Sequence, residues 1–200
     1  KLKEKQSLLQ GLKKNGKVVL NNDDSFLGRI KSSECKITTV GIKEKSDFIA
    51  GDIYCRDGRV NFTVNHKLKL SLSTPAPYNI YNALLAVACG NILGISHGQI
   101  IKALSQFSFP PGRFTIKKLG SVRVIDDTYN SNPTSLRNAI EVLAGYDSSR
   151  RILVCADMKE LGDKSEHLHF GIGKDIARLG IDELITVGDL ARYIAVGAKT

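Results

Sequence analysis

Tryptophan is absent from the 200 residues and methionine occurs once, while the four cysteines, Cys35, Cys55, Cys89 and Cys155, are scattered with no C-x-x-C pair. No histidine stands beside them in metal-ligand spacing, so the sequence carries neither a disulfide framework nor a zinc site. Reduced, mostly buried thiols are expected. No run of about 18 apolar residues could cross a bilayer, and there is no charged-then-apolar leader with a small-residue cleavage site. The expectation is a soluble, cytoplasmic protein without membrane insertion. Two chemistries are missing as well. There is no G-x-x-x-x-G-K-[ST] loop to cradle phosphates. There is no Gly-x-Ser-x-Gly elbow, and His66, His97, His167 and His169 have no evident Ser or Cys partner for a hydrolytic triad.

What the chain does have is positive charge, concentrated at one end. Residues 1–17 hold six lysines against the single acid Glu4, more than half of the formal net charge of +9. A nucleic-acid footprint interleaves arginine and aromatics with its basic residues, and this stretch contains no Arg, Phe, Tyr or Trp. The reading is a solvated lysine-rich helix face and no nucleic-acid partner.

The texture changes along the chain. Residues 4–13 read as a short helix stopped by Asn15-Gly16, and Val18-Val19-Leu20 as a buried strand running into Asn21-Asn22-Asp23-Asp24. Four strand-like segments follow, at Ile37–Val40, Ile49–Cys55, Val60–Val64 and the alternating Lys67–Leu72, and turns such as Asp57-Gly58 suggest antiparallel hairpins. Beyond Pro75-Ala76-Pro77 comes an almost uniformly apolar helix ending near Gly94. Ser96 and Gln99 then stand at the spacing of a capping box. Phe109-Pro110-Pro111-Gly112 cannot continue a helix, which places a domain boundary there, with domains at 1–111 and 112–200.

Past the boundary strands and helices alternate: strand Val122–Ile125, helix 134–144, strand Ile152–Ala156, helix 166–179, strand Leu184–Val187. This predicts an α/β domain of βαβ units on a parallel sheet. Each strand runs into acids, Asp126-Asp127, Asp157 and Asp189, at the edge where open parallel sheets bind ligands. Such carboxylates suit ribose hydroxyls, a magnesium ion or a substrate ammonium, and equally suit helix caps. Gly171-Ile172-Gly173 lies inside a predicted helix and is rejected as a dinucleotide fingerprint. In the dense stretch Asp126–Ser135, Asn132 before Pro133 reads as a helix cap. Asp127, Tyr129 and Asn130 exceed what a turn needs.

Asp126–Ser135 resembles the D-D-x-Y-N-x-N-P-x-S signature of the Mur ligases, in the branch that adds D-alanyl-D-alanine to a UDP-muramoyl-tripeptide. Other motifs occur in the family's order. Asn21-Asn22-Asp23-Asp24 is similar to its N-x-D-D, Asn79-Ile80-Tyr81-Asn82-Ala83-Leu84 to its H-N-x-x-N-A-L, and Pro111-Gly112-Arg113 to its P-G-R. Asp157–Gly162 with Ser165, Glu166 and His169 is similar to its G-D-M-x-E-L-G and downstream S-E-x-x-H. Tyr78 and Ala156 depart from the pattern, where the family has His and Gly.

The resemblance implies the C-terminal part of a central ATP-binding domain followed by an incomplete Rossmann-like ligase domain, a fragment that lacks the P-loop and is inactive alone. It implies ATP and Mg2+ as cofactors, an acyl-phosphate route, UDP-MurNAc-tripeptide and D-alanyl-D-alanine as partners, and a monomer. By carry-over, Lys5 as a carbamate holds magnesium, Asn79 and Asn82 lie near the adenine, and Arg113 and Asp127 hold phosphate and ribose. Tyr129, Asn130, Asn132 and Asp157 are candidates for the dipeptide. Other readings remain: a folylpolyglutamate or cyanophycin synthetase-like amide ligase, a non-catalytic binding module and, for Lys5, one lysine on a solvated face.

Overall fold

The structure is a computed structural model that describes residues 2–33 and 35–200; they form two compact units, Lys1–Ser108 and Phe109–Thr200. In the first, helix α1 spans Leu2–Gln10. It ends three residues before the expected position because Gly11, a poor helix former, closes the last turn with its N–H on Leu8 O at 3.3 Å. Lys13 and Lys14 therefore belong to a turn, completed by Gly16 N–H on Lys13 O at 2.8 Å.

Strands β1 (Lys17–Asn21), β2 (Lys36–Gly41), β3 (Phe48–Arg56), β4 (Arg59–Val64) and β5 (Leu68–Leu72) lie side by side in that order. The β3–β4–β5 meander is antiparallel, as the alternation predicts, but β1, β2 and β3 run parallel, so the expectation of hairpins fails for β2. A parallel neighbour normally needs a long crossover. Here β2 and β3 overlap only at Val40↔Phe48 and Gly41↔Ile49, and the short segment 42–47 suffices. Val60, Phe62, Val64, Leu70 and Leu72 turn one face of the sheet onto Ile80, Leu84 and Val87 of helix α2 (Asn79–Ile92) and Ile100 of helix α3 (His97–Gln106). Each such side chain contributes about 1.5–3 kcal/mol on burial. Gly94, at φ +76°, ends α2: its N–H reaches Asn91 O at 3.0 Å and Ile95 N–H reaches Gly90 O at 2.9 Å. The Ser96–Gln99 capping box forms at the start of α3.

The second unit opens with a hairpin of β6 (Thr115–Leu119) and β7 (Val122–Asp126). Helix α4 (Pro133–Ala144), strand β8 (Ile152–Ala156), helix α5 (Ser165–Arg178), strand β9 (Glu183–Val187) and helix α6 (Arg192–Gly197) follow. β8 and β9 pair in parallel around α5, forming the expected βαβ unit. β7 departs from expectation: among the described residues it pairs with β6, antiparallel, and not with β8. Leu136 and Ile140 of α4, Leu153 and Cys155 of β8, Ile172 and Ile176 of α5 and Ile194 of α6 make the core. The cysteines are less buried than expected. Cys155 is buried, and burial pushes its thiol up to about 11. Cys35 is intermediate, and Cys55 and Cys89 are exposed, the former near the β3–β4 turn and the latter on the outer face of α2.

Candidate functional site

In the first unit two of the three sequence-derived residues, Asn79 and Asn82, lie at the start of α2. Asn79 is buried, 3% exposed, and its Oδ1 accepts from Asn82 Nδ2 at 3.0 Å. Asn79 Nδ2 has no hydrogen-bond partner among the described residues. A buried amide donor without an acceptor costs about 1–3 kcal/mol, and a purine ring nitrogen is an acceptor of the right kind. Asn82, one turn on, is exposed. The pair therefore suits a heterocycle that presents a lone pair to Asn79.

The same end of α2 is anchored by a contact that the sequence did not announce. Tyr81 donates its hydroxyl to Asp23 Oδ2 at 2.7 Å, linking α2 to the end of β1 across 58 residues. The Asp23 carboxylate also accepts backbone N–H groups from Ile42 at 2.7 Å, Lys43 at 3.1 Å and Glu44 at 2.8 Å. Burial would raise its pKa, but the Glu44 and Ile42 N–H groups, the Tyr81 hydroxyl and the Lys43 N–H outweigh burial and hold it below the ordinary carboxylate range. Burial, followed by this bond to Asp23, pushes the Tyr81 phenol up to about 12. Asn21 Oδ1 accepts the Asp23 N–H at 3.0 Å, and Asp24 Oδ1 accepts from Phe26 and Leu27, both at 2.9 Å. The N-x-D-D stretch is thus a framework for the loops beside β1. Lys5 lies exposed on α1. Among the described residues no three His, Cys, Asp or Glu side chains come together as a metal-binding group.

In the second unit, Arg113 and Asp127 come together. Phe114 N–H donates to Asp127 Oδ1 at 3.0 Å, and burial pushes the Asp127 carboxyl up against the lowering effects of that bond and of Arg113. Asp126 instead accepts from Lys117 Nζ at 2.9 Å and Thr128 Oγ1 at 2.7 Å, which together hold it below its ordinary value. The Arg113 guanidinium lies 4.0 Å above the centre of the Tyr129 ring. Gly112 and Phe114, on either side of Arg113, both adopt positive φ, +73° and +53°. Glycine does this freely; for a bulky residue it is strained by roughly 1–2 kcal/mol. Asn130 is exposed. Asn132 is the cap of α4: its Oδ1 accepts from Thr134 N–H and Ser135 N–H, both at 3.0 Å.

Asp157, at the end of β8, is engaged as a cap on a neighbouring segment. Its Oδ1 accepts from Leu190 N–H at 3.0 Å and Ala191 N–H at 2.7 Å, fixing the turn from β9 into α6. His169, fully buried, holds the loop that follows Asp157. Met158 N–H donates to its Nε2 at 2.9 Å, and its Nδ1 lies 2.7 Å from Ser165 O. The second glycine of the rejected fingerprint has a packing role instead. A Cβ on Gly173 would lie 2.1 Å from Ile194 O, so the absence of a side chain lets α5 and α6 touch backbone to backbone.

Comparison with known proteins places this geometry. The Mur ligase middle domain profile matches residues 2–90, and that of the Mur ligase glutamate ligase domain matches residues 112–199. The UDP-N-acetylmuramoyl-tripeptide-D-alanyl-D-alanine ligase of Bacillus subtilis is 32% identical over 200 residues, covering 97% of this chain and 43% of that protein. The Escherichia coli enzyme of the same name is 31% identical over 210 residues, covering 98% and 45%. A crystal structure of MurF from Acinetobacter baumannii superposes with a TM-score of 0.89 at 30% identity, over 98% of this chain and 44% of that one. The chain thus spans less than half the length of these relatives, and it matches them almost from end to end. It belongs to the Mur ligase family.

Proposed function

We propose that this chain is part of an ATP-dependent amide ligase that joins D-alanyl-D-alanine to UDP-N-acetylmuramoyl-tripeptide in cytoplasmic peptidoglycan synthesis. The observation that carries the nucleotide part is the buried, unpartnered Asn79 Nδ2; the acceptor is argued from the relatives that bear that name. We read 1–111 as the end of the central domain and 112–200 as an incomplete Rossmann-like ligase domain. Asn79 and Asn82 then face the adenine. Arg113 contributes a positive charge to phosphate, and Asp127 offers ribose the oxygen that Phe114 does not occupy. ATP supplies the activation of the tripeptide carboxylate that the dipeptide amine then attacks. Holding these groups in line, more than proton transfer, is the chain's share of catalysis. Asn130 stays a candidate for the dipeptide, whereas Asn132 and Asp157 reach it only with groups that their caps leave over.

For magnesium the described residues offer one ligand, Lys5 as a carbamate, on an exposed helix. Among the described residues no three His, Cys, Asp or Glu side chains form a metal-binding group, and no step is derived through the metal. In the complete polypeptide, Lys5→Ala should nearly abolish ligation; wild-type turnover would remove the carbamate role. The function is tested by incubating the complete polypeptide with ATP, Mg2+, the UDP-tripeptide and either D-alanyl-D-alanine or single amino acids, reading product mass and phosphate release. Ligation of the dipeptide is expected. Turnover with a single amino acid and none with the dipeptide would assign another branch of the family. The 200-residue chain alone should release no phosphate from ATP, and turnover by it would contradict the fragment reading.

A further inference from the structure

We propose that Tyr129 is a positioning residue for Arg113, holding its guanidinium ready for the nucleotide, and not a contact to the dipeptide; this rests on the nucleotide role of Arg113 proposed above. Three consecutive residues, Gly112 and Arg113 of the P-G-R motif and Phe114 after it, are laced to the loop after β7. Tyr129 N–H donates to Gly112 O at 3.0 Å, the Arg113 guanidinium lies over the Tyr129 ring, and Phe114 N–H donates to Asp127 Oδ1 at 3.0 Å. Gly112 and Phe114 are buried while Arg113 between them is exposed, so the turn presents one charged side chain from two fixed neighbours. The fit is close. A Cβ on Gly112 would lie 3.3 Å from both Thr128 Oγ1 and Tyr129 N. Phe114, 3% exposed, keeps its left-handed backbone through burial and the Asp127 bond.

The chemistry of the contact separates positioning from neutralisation. An arginine can be held by a carboxylate, which uses its N–H donors and cancels its charge. Among the described residues Arg113 makes no direct ion pair; Asp127 is near enough for Arg113 to lower its pKa, but its Oδ1 accepts from Phe114 N–H. A ring beneath the guanidinium plane restricts its rotamers while leaving the five donors at its rim available for phosphate oxygens. Tyr129 is 67% exposed, so it acts as a platform at the surface and not as part of the core.

The test uses the complete polypeptide, with KM for ATP, KM for D-alanyl-D-alanine and kcat measured for Tyr129→Ala, Tyr129→Leu, Tyr129→Phe, Arg113→Ala and the Arg113→Ala/Tyr129→Ala double variant. Losing the ring face should raise the ATP KM about two- to tenfold, with the dipeptide KM unchanged. Tyr129→Leu, which keeps bulk without a π face, should match Tyr129→Ala, and Tyr129→Phe should restore the wild-type value. Adding Tyr129→Ala to Arg113→Ala should have no further effect, because the two residues act as one unit. A raised dipeptide KM with an unchanged ATP KM, a Phe variant as impaired as the Ala variant, or additive effects in the double variant would overturn the assignment. An unchanged ATP KM in Arg113→Ala would instead overturn the nucleotide role of Arg113 itself.

Discussion

Two glycines separated by one residue should respond in opposite directions to the same substitution. At Gly173 an added Cβ would sit 2.1 Å from Ile194 O, 2.6 Å from Ala198 N and 2.8 Å from Gly197 C, all of them backbone atoms that no rotamer change can move. Non-bonded carbons settle at roughly 3.5–4.0 Å, so α6 would have to retreat by more than about 1 Å. Overpacking of this kind costs about 1–3 kcal/mol, and a rigid backbone neighbour puts it at the upper end. Replacing glycine in a helix interior returns about 1 kcal/mol of propensity, leaving a net loss of about 2 kcal/mol. At Gly171 the nearest atom would be Arg137 Nη2 at 3.8 Å, which is ordinary contact, so the propensity gain stands alone. For a domain of this size, 1 kcal/mol moves Tm by about 4–8 °C. Gly173→Ala should therefore lower the melting temperature of the second unit by roughly 8–16 °C, and Gly171→Ala should raise it by roughly 4–8 °C. Circular dichroism melts of the 200-residue chain read both. A Gly173→Ala protein that melts at or above wild type would show that α5 and α6 do not meet through this glycine.

The capping role of Asp157 predicts that Asp157→Ala loses about 1–2 kcal/mol of stability, while Asp157→Asn, which keeps the accepting oxygen, loses little. A stable Ala variant with a raised dipeptide KM would return Asp157 to the substrate. The Asp23 carboxyl lies below its ordinary value of 3.8, so the stability it supplies is present above about pH 4 and is lost as pH falls through its folded-state value. Tm plotted against pH should show a shallower acid limb in Asp23→Asn than in wild type, and superimposable limbs would refute this. In the complete polypeptide, Asn79→Ala should raise the ATP KM about tenfold through one lost hydrogen bond; an unchanged KM would leave its unpartnered amide without a ligand.

Local signals were the legible part of this sequence. The alternation at Lys67–Leu72 buries Leu70 and Leu72, and the caps at Ser96 and Asn132 form where Ser and Asn precede helical patterns. The β6–β7 hairpin went unseen because Thr115–Leu119 is lysine-rich and mostly exposed. The Gly120-Ser121 pair between two short runs was its one available sign. The parallel pairing of β2 carries no local signature, since direction is decided by where the next strand starts. The motifs containing Asp23, Tyr81, Arg113 and Tyr129 could each be picked out, yet nothing in the spacing says that Asp23 meets Tyr81 or that Arg113 lies on Tyr129. Such contacts belong to the fold. Contacts of this kind also turn one suspected ligand group, Asp157, into a cap on the segment after β9, and make the acids beside β1 a framework.

The buried, exposed, buried order of Gly112, Arg113 and Phe114 also bears on how the protein can vary. A side chain at 112 meets both an unfavourable φ and close neighbours, and a replacement at 114 must fill the same buried space at a positive φ. Selection acting on this turn, for example under an inhibitor that grips the arginine, is left with Arg113 itself and the ring beneath it as positions free to change. Escape variants should therefore cluster at those two residues and carry a loss of nucleotide affinity with them.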